Sequence, residues 1–487
     1  MNVLPGLSVS LEVLLNIEND PTILEPVCGK TGIPLWVLLR TPFIRAFLYD
    51  TLYGQAPSAP FAKIPPIIAA RTTAKSLVRN WRKRDNIECD ILIVATGMGV
   101  MMTDGKWFNR LSDQLALQYP DNTTVIEDVF AWRWPFPRDN DRVLLGLPAA
   151  VGATVIGRAS FGKYLNQANA LVTYVTQRAQ DILGWVPSDN SHQMLVKHLA
   201  YKIASLPWLF RHWTHVLQKS GAKLLLKEEG CYGPSAVAIS AARKLGIITA
   251  EYQHGAVSRG HDAYNVAPVL QASEAYRATL PDYFLGYGQW WIDQINIPVR
   301  GISLGNPHRS EILARSTARL SKPRPTILIL GDGVDDGMYL AWSKRLAEKL
   351  TDEFTIVFRP HPSSLANGVI DILQAKSTTL KIDCGPDLYT SLIQTDVVVS
   401  ELSTGLFEAI GLVKRIFMWA TAKSAFSFPE SPFEHFSDID ELVRRLRLPE
   451  AEIPLPIEGE IFWAPDWRSN YRRFLDDVRA FTVKEHK

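Results

Sequence analysis

Five short polar clusters in this chain each follow an apolar run and precede a helical pattern. They are Glu228-Glu229-Gly230, Gln253-His254-Gly255, Gly331-Asp332-Gly333, Arg359-Pro360-His361-Pro362 and Ser400-Glu401-Leu402-Ser403-Thr404-Gly405. Carboxylates, imidazoles, a guanidinium and hydroxyls are the groups that move protons and hold phosphates. Glu228 and Glu229 follow the run Leu224–Lys227, and strand alternation points one of the two inward and the other outward. One of them is therefore expected at a site, as a carboxylate of raised pKa acting as a base on a hydroxyl. A surface acidic pair is the plainer reading. His254 ends the next run and is the rival base. His261 and Tyr264, in the loop that follows, are candidates to line an acceptor. Cys231 lies beside the carboxylates, with nothing near it that argues for a thiolate.

The later clusters read as a phosphate site. Ser403 and Thr404 stand where a helix beginning near Gly405 has its N-cap. Capping alone accounts for them. The same hydroxyls and free N–H groups, at the positive end of a helix dipole, also suit a phosphate. Glu408, one turn on, either reaches back to a ribose or is a solvated charge. His361 precedes Pro362, which holds it extended and projects its imidazole from the strand end. Arg359 adds a fixed positive charge. Gly331, Asp332, Ser400 and Pro362 complete the expected nucleotide-binding set. Gly97-Met98-Gly99 lacks the full glycine spacing of a dinucleotide loop and reads instead as a tight turn or a close approach. No cysteine or histidine spacing forms a metal site, and neither a metal nor a cofactor is expected.

These clusters need elements to place them. From Asp90 the chain alternates continuous apolar runs with amphipathic stretches, the pattern of parallel sheets covered on both faces. Runs begin near Asp90, Lys223, Ile247 and Tyr283, and a second series near Pro325, Phe354, Thr379, Asp396 and Arg415. A helix is expected from Trp107 to Gln118 and another from Trp467 to Val483. The fold class is α/β: two Rossmann-like doubly wound domains facing across a cleft, preceded by an N-terminal extension. Boundaries are expected at 1–87 for the extension, 88–317 for an acceptor-side domain and 318–487 for a nucleotide-binding domain with a C-terminal helix. Ligands in such sheets bind beyond the carboxyl ends of the strands, where all five clusters fall.

Composition narrows the function. With 52 basic and 50 acidic residues in 487, the chain lacks the basic excess of a nucleic-acid binder. Four scattered cysteines fit a reducing compartment. The N-terminus lacks the features of a signal peptide, and no window has the length and apolarity of a membrane span. A cytoplasmic protein is expected, with any membrane contact made from the inner surface. Arg71–Arg84 carries six basic residues interleaved with Leu77, Val78 and Trp81. A solvated face explains it, and so does an interfacial helix meeting anionic lipid.

Taken together, the residues resemble a family group. The second half is similar to the nucleotide-binding half of GT-B glycosyltransferases and UDP-sugar 2-epimerases, and Leu304–Leu313 looks like the segment leading into it. The order acidic-acidic-Gly, His-Pro, Ser/Thr resembles bacterial sialyltransferases, with Kdo transferases and glycerophosphotransferases sharing parts of the layout. The acidic element is Glu-Glu where aspartate is frequent in those families, and Gln253-His254-Gly255 followed by a His/Tyr loop is closer to other capsule and surface-polysaccharide proteins. The resemblance implies Glu229 (or Glu228) as base, His361 as phosphate ligand, and Ser403 and Thr404 as its partners. It implies a metal-independent glycosyltransferase taking a nucleotide-sugar donor, CMP-ulosonate ahead of UDP- or GDP-sugars. The acceptor is a glycan or glycolipid, held near the aromatic loop Val129–Phe136. A nucleotide-sugar epimerase or hydrolase, or a binding protein that kept the fold, are the alternatives.

Overall fold

The computed structural model describes residues 9–54, 65–315, 322–333, 335–350, 352–361, 364, 380–385 and 387–485. The chain divides into two compact units, one built on residues to Pro307 together with those from Asp466 onward, the other on His308–Pro465.

The first unit is a seven-stranded parallel sheet. Its strands are β1 (Ile91–Ala95), β4 (Thr123–Glu127), β5 (Val143–Leu145), β6 (Leu224–Lys227), β7 (Ile248–Tyr252), β8 (Tyr283–Gly286) and β9 (Arg300–Ser303), in the order β5-β4-β1-β6-β7-β8-β9. Every residue of β1 is buried because both faces are covered, which is why the strand reads as an unbroken apolar run. Ile91, Ile93, Leu224 and Leu226 point to one face, and Leu92, Val94 and Leu225 to the other. The second face packs on the helices Asp189–Ser220 and Ala236–Lys244 through Leu217, Ile239 and Ala242.

The first face is covered by the C-terminal helix Trp467–Glu485, through Trp467, Tyr471, Phe474, Leu475 and Val478. This corrects the expectation that the helix belongs to the second domain: its apolar stripe fills a sheet face otherwise met by the short helix Asp113–Gln118. The expected helix from Trp107 is also corrected. Residues Val100–Thr103 (β2) and Lys106–Asn109 (β3) form an antiparallel hairpin, and the helix begins only at Asp113.

Residues 9–54 are no extension. The helix Leu35–Leu48 is buried on nearly every side. Phe43 and Phe47 meet Trp185 edge-on at 5.7 and 5.3 Å. Gly233 lies so close that a Cβ there would sit 2.0 Å from the Val37 carbonyl.

The second unit is a six-stranded parallel sheet of β10 (Thr326–Leu330), β11 (Thr355–Arg359), β12 (Lys381–Ile382), β13 (Val397–Ser400), β14 (Arg415–Trp419) and β15 (Glu434–Phe436). Their order is β12-β11-β10-β13-β14-β15. This is the 3-2-1-4-5-6 order of a doubly wound fold, and the first sheet follows the same order with one strand added. Both units are thus Rossmann-like, as the alternation predicts. The unit boundary falls at His308, within the helix Pro307–Arg315, rather than near 318. His308 Nε2 meets Asp387 Oδ2 at 3.0 Å, and Arg309 donates to the Ile410 carbonyl, which ties this segment to the second sheet. Residues 316–321, where the boundary was expected, lie outside the described residues.

Candidate functional site

In each unit the strand order reverses at a switch point, where an open α/β sheet leaves a crevice at its carboxyl edge. In the first unit this lies between β1 and β6. Glu228 spans it: its carboxylate accepts from Thr96 N at 2.9 Å, from Thr96 Oγ1 at 2.6 Å and from the Tyr252 hydroxyl at 3.3 Å. It is fully buried, so its role is to fasten the two strand ends rather than to meet a ligand. Beside it, a Cβ at Gly97 (φ +75°) would fall 2.2 Å from the Asp128 carbonyl, so this turn admits only glycine.

Glu229 is the member of the pair that reaches the edge. It does so by leaving the strand, with φ of +56°, a left-handed conformation that a side chain adopts only at a cost. Burial lifts its carboxyl above the ordinary range, against the pull of His254 and Lys227. His254 lies two residues past the end of β7, and Glu251, three residues before it and within that strand, is fully buried. Glu251 accepts from Cys231 N at 2.7 Å and from the Tyr264 hydroxyl at 2.6 Å, and its Oε1 lies 3.6 Å from His254 Nδ1. Burial alone would lower the His254 pKa. The Glu251 carboxylate, with Glu228 and Glu229, outweighs that and holds it above the usual imidazole value. Nδ1 itself is buried, so the exposed part of the ring is its other edge.

His261 and Tyr264 were expected to line an acceptor. Tyr264 is fully buried and serves to hold Glu251. His261 is half-buried, and burial depresses its pKa to about 4. Its Nδ1 accepts from Ala263 N at 3.2 Å, so a neutral ring carries its proton on Nε2 and donates it to the Tyr232 hydroxyl at 3.0 Å. Tyr232, whose ring centroid is 5.8 Å from that of His254, is thereby left with its own proton to donate. Cys231 is buried, and burial pushes its thiol pKa well up, so it is no nucleophile.

The loop bearing His261 is set by the N-terminal segment. Buried Glu18 accepts from Arg40 Nε at 2.6 Å, Arg40 Nη2 at 2.9 Å, Trp36 Nε1 at 2.8 Å and Ala267 N at 3.1 Å. Arg40 in turn donates to the carbonyls of Asp262 and Asn265. Sequence reading missed Glu18, Arg40, Tyr232 and Glu251. Only Glu251, three residues before His254, carried a local signal.

The second unit's switch point lies between β10 and β13. There Ser400 is buried, with its hydroxyl donating to the Leu330 carbonyl at 2.7 Å and accepting from Ser403 N at 3.2 Å. Like Glu228, it fastens the edge rather than lining it. Arg359 is likewise internal: it donates to Asp383 at 2.7 Å, Ser391 at 3.1 Å and the Gly385 carbonyl at 2.7 Å. The expectation that Ser400 and Arg359 meet a nucleotide is corrected on these contacts. The residues that do reach the surface are His361 and Thr404, with Ser403, Asp332 and Glu408 half-buried. Gly331 N donates to the Arg359 carbonyl, and the Tyr339 hydroxyl lies 3.4 Å from Asp332 Oδ2. Pro362 lies outside the described residues.

The helix expected to follow Thr404 is a single turn, Gly405–Glu408, so it brings little dipole. Thr404 makes no side-chain cap. Ser403 Oγ does that work, accepting from Gly405 N at 3.2 Å. The aromatic loop is partly packed: Trp132 and Trp134 are half-buried, with Lys75 5.4 Å from the Trp134 ring and Arg79 3.5 Å from the Phe136 ring. Among the described residues, no three acidic, histidine or cysteine side chains gather as a metal site, and no helix is long and apolar enough to cross a membrane.

No protein-family model and no curated protein sequence matches the chain. Among solved structures, it is similar to UDP-GlcNAc 2-epimerase from Methanocaldococcus jannaschii, at 10% identity and a TM-score of 0.43 over 81% of this chain and 99% of that one. The same enzyme from Neisseria meningitidis, bound to UDP-GlcNAc, gives 11% and 0.42 over 80% and 99%. The wall teichoic acid polymerase TagF gives 11% and 0.44 over 92% and 99%. Likeness at this level assigns no activity.

Proposed function

We propose that the protein is a glycosyltransferase that moves a sugar from a nucleotide-activated donor to a glycan or glycolipid acceptor in surface-polysaccharide synthesis. One observation carries the reading: Glu229 and His254 stand together at a switch-point edge, with opposite ionisation needs. Glu229, its pKa raised by burial, is a stronger base than an ordinary carboxylate and takes the proton of an acceptor hydroxyl. The Glu251 carboxylate favours the protonated form of His254, which offsets the negative charge developing on that oxygen. Because its raised pKa favours the protonated ring, which has no lone pair left to take another proton, His254 is assigned the charge-offsetting part and Glu229 that of the base.

The donor's phosphate is assigned to the second unit, on His361, Thr404 and Ser403, the candidates that remain at its edge. A CMP-linked ulosonate such as sialic acid or Kdo is favoured over UDP- and GDP-sugars, on the His-Pro and Ser/Thr elements. The activity is read as needing no metal.

A melting screen of the purified protein against CMP, CDP, UDP, GDP and ADP, with and without magnesium, tests the donor site. A ligand at about a hundred times its dissociation constant stabilises the native state by about 2.7 kcal/mol. A response that His361→Ala removes, and Glu229→Gln keeps while abolishing transfer, is the expected result. Silence toward every nucleotide overturns the reading.

A further inference from the structure

The helix Pro66–Arg82 packs on its neighbours with its polar side inward. Buried Thr72 and Ser76 lie on the inner face. Asn80 exchanges two hydrogen bonds with Leu145 at the sheet edge, both 2.9 Å, and Arg79 Nε donates to the Val143 carbonyl at 3.0 Å. Lys83 pairs with Asp141.

The apolar residues face out. Ile67, Ala74, Val78 and Trp81 recur at steps of seven, four and three, so they form one line along the helix, opposite the packed face. Ile67 is 74% exposed, Trp81 67% and Val78 48%. Arg71, Lys75 and Arg82 run along one flank of this line and are exposed too. Beside the helix, Val155 of the packed helix Leu147–Ser160 adds a further apolar side chain, 61% exposed.

A surface helix of a globular protein shows the reverse pattern, apolar toward the core. Among the described residues the one ring contact of the outward stripe is with the Arg84 guanidinium, 6.0 Å from the centroid of the Trp81 ring, and one flank of the stripe is basic. We propose that this helix docks the protein flat on an anionic lipid surface, with Ile67, Val78 and Trp81 entering the interface and Arg71, Lys75 and Arg82 meeting the headgroups. Charge complementarity selects the occupant. Two copies packed about this stripe would bring their basic flanks together, and a nucleic acid would meet the cations but leave the apolar line in water. A bilayer interface of anionic lipid satisfies both halves of the face at once. The inference stands on this helix alone and does not depend on glycosyl transfer.

The test is vesicle co-sedimentation of the full chain, with phosphatidylcholine vesicles and with equal parts phosphatidylcholine and phosphatidylglycerol. Binding is expected on the anionic vesicles, at least tenfold above the neutral ones, and weaker in 0.5 M than in about 0.1 M salt. Each Lys or Arg at such a surface is worth about fivefold in partitioning, equivalent to about 1 kcal/mol. The triple variant Arg71→Gln/Lys75→Gln/Arg82→Gln should therefore lose about a hundredfold, and Val78→Gln/Trp81→Gln at least tenfold. All these side chains are exposed, and the ring contacts of Lys75 with Trp134 and of Trp81 with Arg84 lie at the surface, so both variants should melt within a few degrees of the parent, which is checked in the same preparation. No binding to either vesicle overturns the proposal, as does equal binding by parent and variants. It is also overturned by a concentration-dependent dimer in light scattering that Val78→Gln/Trp81→Gln abolishes, because the stripe would then be a protein interface.

Discussion

Glu18→Gln is the most informative single change in the first unit. Both oxygens of Glu18 accept two hydrogen bonds: Oε2 from Trp36 Nε1 and Arg40 Nε, Oε1 from Arg40 Nη2 and Ala267 N. Glutamine can present only one oxygen. Whichever way its amide turns, the NH2 meets two donors, and the Arg40 guanidinium, buried with Glu18, loses its counter-charge. Breaking a buried pair in this way costs about 3–5 kcal/mol, or about 6–20 °C in the melting of a unit of this kind.

Replacing both partners, as Glu18→Met/Arg40→Met, distinguishes an ion pair from a strut. A pair that served only itself would be nearly neutral to such a swap. Arg40 also satisfies the carbonyls of Asp262 and Asn265, and Glu18 the Ala267 N–H, and each buried group left unpaired costs about 1–3 kcal/mol. The double variant should therefore stay well below the parent. The assay is calorimetry of the parent, both singles and the double at one pH. A loss under about 1 kcal/mol for Glu18→Gln, or a double variant as stable as the parent, would refute the reasoning that this segment holds the His261 loop.

Glu229→Gln should lower transfer by about 10²–10⁴-fold, and it should raise stability relative to the parent as pH climbs. A carboxyl whose folded pKa is raised contributes most when protonated, below about pH 4.3, and that contribution fades as pH rises through the folded value. Glu229→Gly relieves a left-handed side chain and should gain up to about 1 kcal/mol in urea melts while equally inactive; a loss of stability would argue against the strain. His254 runs the same way from a higher start: its contribution is full below about pH 6.5 and is lost as pH passes the raised folded pKa, so His254→Asn should cost stability in acid and little in alkali. Arg359→Met removes the guanidinium from Asp383, which keeps its bonds from Ser391 and Gly385 N, and should destabilise the second unit by about 1–3 kcal/mol. If it instead only weakens nucleotide binding, with melting unchanged, Arg359 is a ligand and the assignment above is wrong.

The alternation of apolar runs determined two parallel sheets and put the polar clusters at their carboxyl edges, because a strand buried on both faces must be apolar throughout and its polar residues begin where it ends. That much needs only local physics: Ile91–Ala95, Thr326–Leu330 and Val397–Ser400 are legible as they stand. Short or mixed strands were not, such as Val143–Leu145 and Arg300–Ser303, whose pairing comes from neighbours distant in sequence. Tertiary structure alone decided which member of a cluster is left accessible at the sheet edge. Glu228 and Glu229 are chemically alike, and so are Ser400 and Ser403. One of each pair crosses to the opposite strand end as a strut, and the other is left at the surface, a difference fixed by backbone turns that residue type does not encode. The same holds for the support behind the site: Glu18 and Arg40 lie more than two hundred residues from the loop they hold, and no spacing rule joins residues that only the folded chain brings within a hydrogen bond.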